Sequence, residues 1–151
     1  KFPMIYCEYA GRGYESYTEE LFAIFDWLPR HTRGAEPREF EAGTLRASDN
    51  RFHWVHMRAL PLSDVRGRRT RPLKLTAKIT VGNSIHVNSA SRATTLWLSP
   101  KLVDFEKRVT VTVNGRRGKS QFLKPSISDM LEDFRNRADR EKLYWTRIDI
   151  E

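Results

Sequence analysis

At 151 residues, 39% of them hydrophobic and 17 of them aromatic (four Trp, five Tyr, eight Phe), the chain can bury a sizeable core, which excludes a disordered class. A formal net charge of +8 makes its surface attractive to phosphates, acidic polysaccharides or anionic lipid heads without choosing among them, because a charge excess governs association rather than fold. The lone Cys7 rules out an internal disulfide, and no run reaches the roughly 18 apolar residues of a membrane-spanning helix.

Residues 1–28 read as a strand, a glycine-bracketed turn and a helix. Met4-Ile5-Tyr6-Cys7 is a short apolar run suited to a strand buried on both faces, with Cys7 packed as a small apolar residue. Gly11 and Gly13 bracket a sharp turn. Ser16 with Glu19 has the capping-box spacing, and Leu21, Ile24, Phe25 and Leu28 recur on one helical face. Strand, turn and helix make half of a βαβ unit whose parallel partner does not follow in the chain. The segment is therefore expected to be a piece of a larger parallel sheet, with Lys1-Phe2-Pro3 a cut start.

Pro29, Gly34 and Pro37 then break any helix, so residues 31–37 are expected to be a linker ahead of a second domain, 38–151. From Phe40 the period becomes that of strands, expected over 40–46, 52–57, 73–81, 84–88, 94–98, 109–113 and 119–123. Residues 73–81 alternate strictly, with Leu73, Leu75, Ala77, Ile79 and Val81 on the core face. Gly82-Asn83 and Asn114-Gly115 are hairpin signals, the second being the stronger because a type I′ turn needs positive φ at both central residues. Trp97 points away from Leu96 and Leu98, which suggests a strand covered on both faces. Ser126 is an N-cap, and Ile127, Met130, Leu131 and Phe134 give the following helix one apolar face; residues 142–150 read as a closing strand. The expected class is mainly β with two helices: an antiparallel β-sandwich, Ig-like or jelly-roll-like, preceded by a remnant strand and helix.

Few residues offer chemistry. His53 and His56, three apart on one expected strand, point to opposite faces and cannot share a metal; His31 and His86 have no ligand-spaced neighbours, so no metal and no cofactor are expected. Glu15, Glu19 and Glu20 are explained by a helix N-terminus. Phe52, Trp54, Trp97, Tyr144 and Trp145 fit a core better than a sugar platform. Two basic clusters remain, Arg66, Arg68, Arg69 and Arg71 with Lys74, and Arg116, Arg117 and Lys119. If both loops meet at one end of the sandwich, they form an anion patch for an acidic glycan or, with less support from the aromatic spacing, nucleic acid.

Gly11-Arg12-Gly13-Tyr14-Glu15, Glu19-Glu20-Leu21, Ile24-Phe25-Asp26-Trp27 and Asp49-Asn50-Arg51-Phe52-His53-Trp54-Val55 resemble the C-terminal part of bacterial α/β-hydrolases of the esterase and prolyl-oligopeptidase-like kind, particularly exported members from planctomycete-type bacteria. The resemblance implies that residues 1–30 are the last strand and helix of a hydrolase domain, and that 38–151 is a non-catalytic β-rich accessory domain. It places Tyr14 where that family has its triad histidine; a phenol titrating near 10 does not cycle protons as an imidazole does. The implied partner is an upstream hydrolase domain of the same chain, with a second copy covering the orphan helix in its absence. The alternatives are an independent anion-binding module, or part of an active serine hydrolase whose triad lies mostly upstream.

Overall fold

A computed structural model describes residues 4–14, 16–31, 34–61, 71–118 and 120–151. Among them lie two α-helices and nine strands: α1 (Glu20–Trp27), β1 (Glu39–Thr44), β2 (Arg51–Phe52), β3 (Val55–Met57), β4 (Leu73–Thr80), β5 (Ser84–Ser89), β6 (Thr94–Leu98), β7 (Thr110–Val113), β8 (Arg116–Arg117), α2 (Ile127–Arg137) and β9 (Thr146–Ile150). The chain divides into two units, Lys1–Ala35 and Glu36–Glu151.

In the first unit, residues 4–9 form no strand, and Met4, Ile5, Tyr6 and Cys7 are exposed. The expected buried strand is absent because a strand needs a neighbour to take up its backbone hydrogen bonds, and none pairs with it here. The capping box is not made either. Helix α1 begins at Glu20 with Glu19 as an N-cap that makes no side-chain hydrogen bond. Tyr17 instead donates its hydroxyl to the Gly13 carbonyl at 2.9 Å and stacks on Tyr9 at 5.3 Å, with the Arg12 guanidinium over both rings. Pro29 ends the helix in a 3-10 turn over Leu28–Arg30. No residue of α1 is buried.

The second unit is a β-sandwich. One sheet has the order β1-β4-β5-β7-β8 and the other β2-β3-β6-β9. The alternation of residues 73–80 becomes a strand buried on one face only, with Leu73, Leu75, Ala77 and Ile79 inside. Those residues, with Ile85, Val87 and Val111, meet Trp54, Val55, Met57, Leu96 and Leu98 of the other sheet in one apolar cluster. Burying each large aliphatic side chain contributes about 1.5–3 kcal/mol before chain entropy is counted.

The antiparallel expectation holds for every pair of strands but one. Strand β6 crosses to the other sheet, so the chain returns in the same direction and β7 lies parallel to β5, Ser84 facing Thr110 and Val87 facing Val113. Asn114 and Gly115 carry φ of 50° and 78° in the two-residue turn joining β7 to β8, where positive φ favours these residues.

Three local readings change. Residues 52–57 are not one strand: His53 takes φ 49°, and Phe52 pairs with Val55 across a two-residue turn. Trp54 then enters the core while its Nε1 donates to the Pro37 carbonyl at 2.8 Å. Val81 falls in the β4–β5 turn and is exposed, since the turn lifts it off the alternating face. The expected strand at 119–123 reduces to one bridge between Val109 and Gln121, because β8 already occupies the edge of β7; Lys119 lies outside the described residues.

Helix α2 departs furthest. Ser126 caps it as expected, its Oγ accepting from the Asp129 N–H at 3.2 Å. Yet Ile127 and Leu131 are exposed, and the one buried residue of the helix is Asp133. Of the expected apolar face Met130 and Phe134 are half-buried, and the helix turns Asp133 inward in place of Ile127 and Leu131.

Candidate functional site

Sheet pairing determines what faces each side of the four-stranded sheet. Phe52, Val55, Met57, Leu96, Ile148 and Ile150 take the core side. Arg51, His56, Thr95 and Asp149 therefore line up across the opposite face, with Trp97 and Arg147 in the adjoining row. Trp97 is covered there by the guanidinium groups of Arg51 and Arg147, 4.7 and 5.7 Å from its ring centre.

Asp133, 0% exposed, is the hub of this face. It accepts from Arg51 Nη2 at 2.5 Å, from Arg137 Nε at 2.7 Å and from the Tyr144 N–H at 3.0 Å. Burial by itself would raise the Asp133 carboxyl, but hydrogen bonds from Arg137, Tyr144 N–H and Arg51 outweigh it and hold the group below the ordinary carboxylate value. Burial opposes the charge on Arg137 too, and Asp133 reverses that. Tyr144 is pushed well above an ordinary phenol, first by burial and then by the Glu36 carboxylate. Burial, then Arg51 and Arg58, lower His56, although Asp149 pulls the other way. Asp133 is paired with Arg51 and Arg137, and Asp149 with Arg58 and Arg147, which gives the cluster a structural role.

The opposite situation is found at one end of the sandwich. The Asn114 side chain bonds both backbone groups of Ser89, accepting at 2.9 Å and donating at 3.0 Å, and so fixes the β7–β8 turn to the end of β5. Arg92 is set beside it by backbone hydrogen bonds, Arg92 N–H to Ala59 O at 3.0 Å and Arg58 N–H to Ala93 O at 2.8 Å. Between this turn and the last residues of β9 runs a cleft of about 820 Å³. Val111, Val113, Ile148 and Ile150 form its apolar floor, and Arg92, Arg116 and Arg117 its basic wall. Among the described residues, none of these three guanidinium groups has a carboxylate partner, whereas Arg51, Arg58, Arg137 and Arg147 all do. Asp149 and the exposed Glu151 also border the cleft; the Asp149 carboxylate is engaged by Thr95 at 2.6 Å, Arg58 at 3.3 Å and Arg147 at 3.5 Å.

Of the residues singled out in the sequence, the structure brings Arg116 and Arg117 into this cleft. Arg71 is exposed just ahead of β4, whose Leu75 faces Ser89, so it lies at the same end without lining the cleft. Arg66, Arg68 and Arg69 lie outside the described residues, as does Lys119. Arg92 escaped sequence reasoning because it stands alone among Ser91, Ala93 and Thr94; only the pairing of β3 with β6 puts it near Arg116.

The remaining candidates are placed as follows. His53 sits at the β2–β3 turn, 3.6 Å from Glu36, and edge-on to Phe40. Trp54, Trp97 and Tyr144 are buried, while Trp145 is exposed beside Phe105, 5.9 Å between ring centres. Tyr14 is fully exposed. Among the described residues no group of three or more His, Cys, Asp or Glu could hold a metal ion, and no helix is long and apolar enough to cross a membrane. Compared with known proteins, the chain matches no family model, no curated protein and no solved structure.

Proposed function

We propose that residues 36–151 serve as a non-catalytic accessory module of a larger, hydrolase-like protein, and that residues 1–35 belong with the body of that protein. The observation that carries this reading is the exposure of α1. Leu21, Phe22, Ile24, Phe25 and Leu28 are all open to solvent, while the sandwich closes a core from its own strands. An apolar helix of this kind requires a covering surface, and a hydrolase sheet supplies one. Hydrogen exchange over residues 20–27 tests it: exchange slowed about hundredfold or more in the full-length parent relative to the 151-residue chain supports the assignment, and equal rates in both remove it. Ester turnover by the parent with Tyr14 in place would instead favour an active hydrolase whose base lies elsewhere.

A second reading rests on the arginines that have no carboxylate partner among the described residues. The cleft holding Arg92, Arg116 and Arg117 suits an anionic ligand, with affinity that falls as salt rises. A salt-insensitive interaction, or one unchanged when all three are replaced by alanine, removes it.

A further inference from the structure

The strand register sets which groups share a side of the cleft. Val113 pairs with the buried Val87, so it lies on the inner side of its sheet, and Arg116, paired with Val113 across the β7–β8 turn, lies on that side too. Ile148 and Ile150 pair with Leu96 and Thr94 and take the inner side of the other sheet. Exposed Arg116 thus stands beside apolar side chains that are only partly buried, and Arg92 borders the same opening from the connection between β5 and β6. Arg117, paired with Thr112, turns to the outer face. Charge and apolar surface therefore meet on one side, within reach of a single small molecule; the cleft volume of about 820 Å³ falls in the range of about 300–1,000 Å³ usual for such sites. Exposed Glu151 borders the cleft just past β9. Its carboxylate opposes a row of anionic groups laid along the cleft but leaves one anionic head at Arg92 and Arg116 favourable.

We propose that the cleft binds a small amphiphilic anion, an alkyl chain ending in one carboxylate. The proposal rests on the anion-binding reading and names its ligand class. The carboxylate is held by the guanidinium groups of Arg92 and Arg116, and the chain covers Val113, Ile148 and Ile150. Charge selects the head, since neither arginine has a carboxylate partner among the described residues. Apolar area selects the tail: each methylene taken fully out of water is worth up to about fourfold in affinity. A polyanion gains from the arginines alone, meets Glu151, and leaves the apolar floor uncovered.

The test titrates the full chain with decanoate, kept below its micellar concentration, and follows methyl resonances by NMR. Saturable shifts are expected at Val113, Ile148 and Ile150 and not at Leu21 or Ile24, which separates the cleft from the exposed face of α1. Arg92→Gln with Arg116→Gln is expected to weaken binding about tenfold or more, while Arg135→Gln on the exposed side of α2 leaves it unchanged. Butanoate is expected to bind about tenfold or more weakly than decanoate, a comparison that alters no residue of the protein. Equal affinity for butanoate, or for the decyltrimethylammonium cation, overturns the proposal, as do shifts confined to α1. Inorganic sulfate or a sulfated oligosaccharide that binds at Arg92 and Arg116 where decanoate does not also overturns it, and leaves the anion reading standing. Absence of binding to all these probes removes both.

Discussion

The two helices make an instructive pair. Helix α1 is rich in apolar residues, with Leu21, Ile24 and Phe25 on one face, and buries none of them. Helix α2 carries five charged residues in eleven positions and leaves Ile127 and Leu131 exposed, yet it is fastened to the sandwich through Asp133. An apolar stripe creates a demand for cover, and something else must supply the surface. A buried carboxylate with two arginines and a backbone N–H specifies its own position, since any other placement leaves charges unpaired.

The difference is broken most directly at Asp133. Replacing it with Ala strands Arg51 and Arg137, each mostly buried, and is expected to lower stability by about 3–5 kcal/mol in chemical unfolding followed by tryptophan fluorescence. The pH dependence follows from the same site. Because the folded-state carboxyl is held below its unfolded value, its stabilisation is complete above the ordinary carboxylate range near pH ~4 and is lost as pH falls through the depressed value. Unfolding midpoints measured from neutral pH downward are expected to show this acid limb in the native chain and to flatten in Asp133→Asn.

A smaller effect sharpens the contrast at the helix ends. Ser126→Ala removes the cap that α2 has and α1 lacks, and should cost about 1 kcal/mol in the same unfolding experiment. Smallest of all, Phe25→Ser on α1 should change the stability of the sandwich by less than about 0.5 kcal/mol, as exposed substitutions do. A loss of several times that amount would mean that α1 supports the sandwich after all.

Parts of the fold were legible because they depend on neighbours in sequence. The strand at residues 73–80 announces itself by period, the Asn114-Gly115 turn by its need for positive φ, and the cap at Ser126 by its spacing to Asp129. The basic turn at Arg116 and Arg117 was visible in the same way. Its third member, Arg92, was not, because no local pattern links it to a turn more than twenty residues later. Residues 4–7 misled for the converse reason: an apolar run states a preference for a strand but cannot provide the partner that makes one.

The amino-acid order alone determined that the chain is mainly β, where its tightest turn falls and which side of β4 is apolar, because these follow from backbone sterics and a two-residue period. Only the tertiary structure decided that β7 runs parallel to β5, that Asp133 rather than Leu131 goes inside, and that Arg92, Arg116 and Arg117, none with a carboxylate partner among the described residues, line one cleft. Arg51 and Asp133 are 82 positions apart, and the electrostatic and packing terms that join such groups act through space, where local periodicity carries no information.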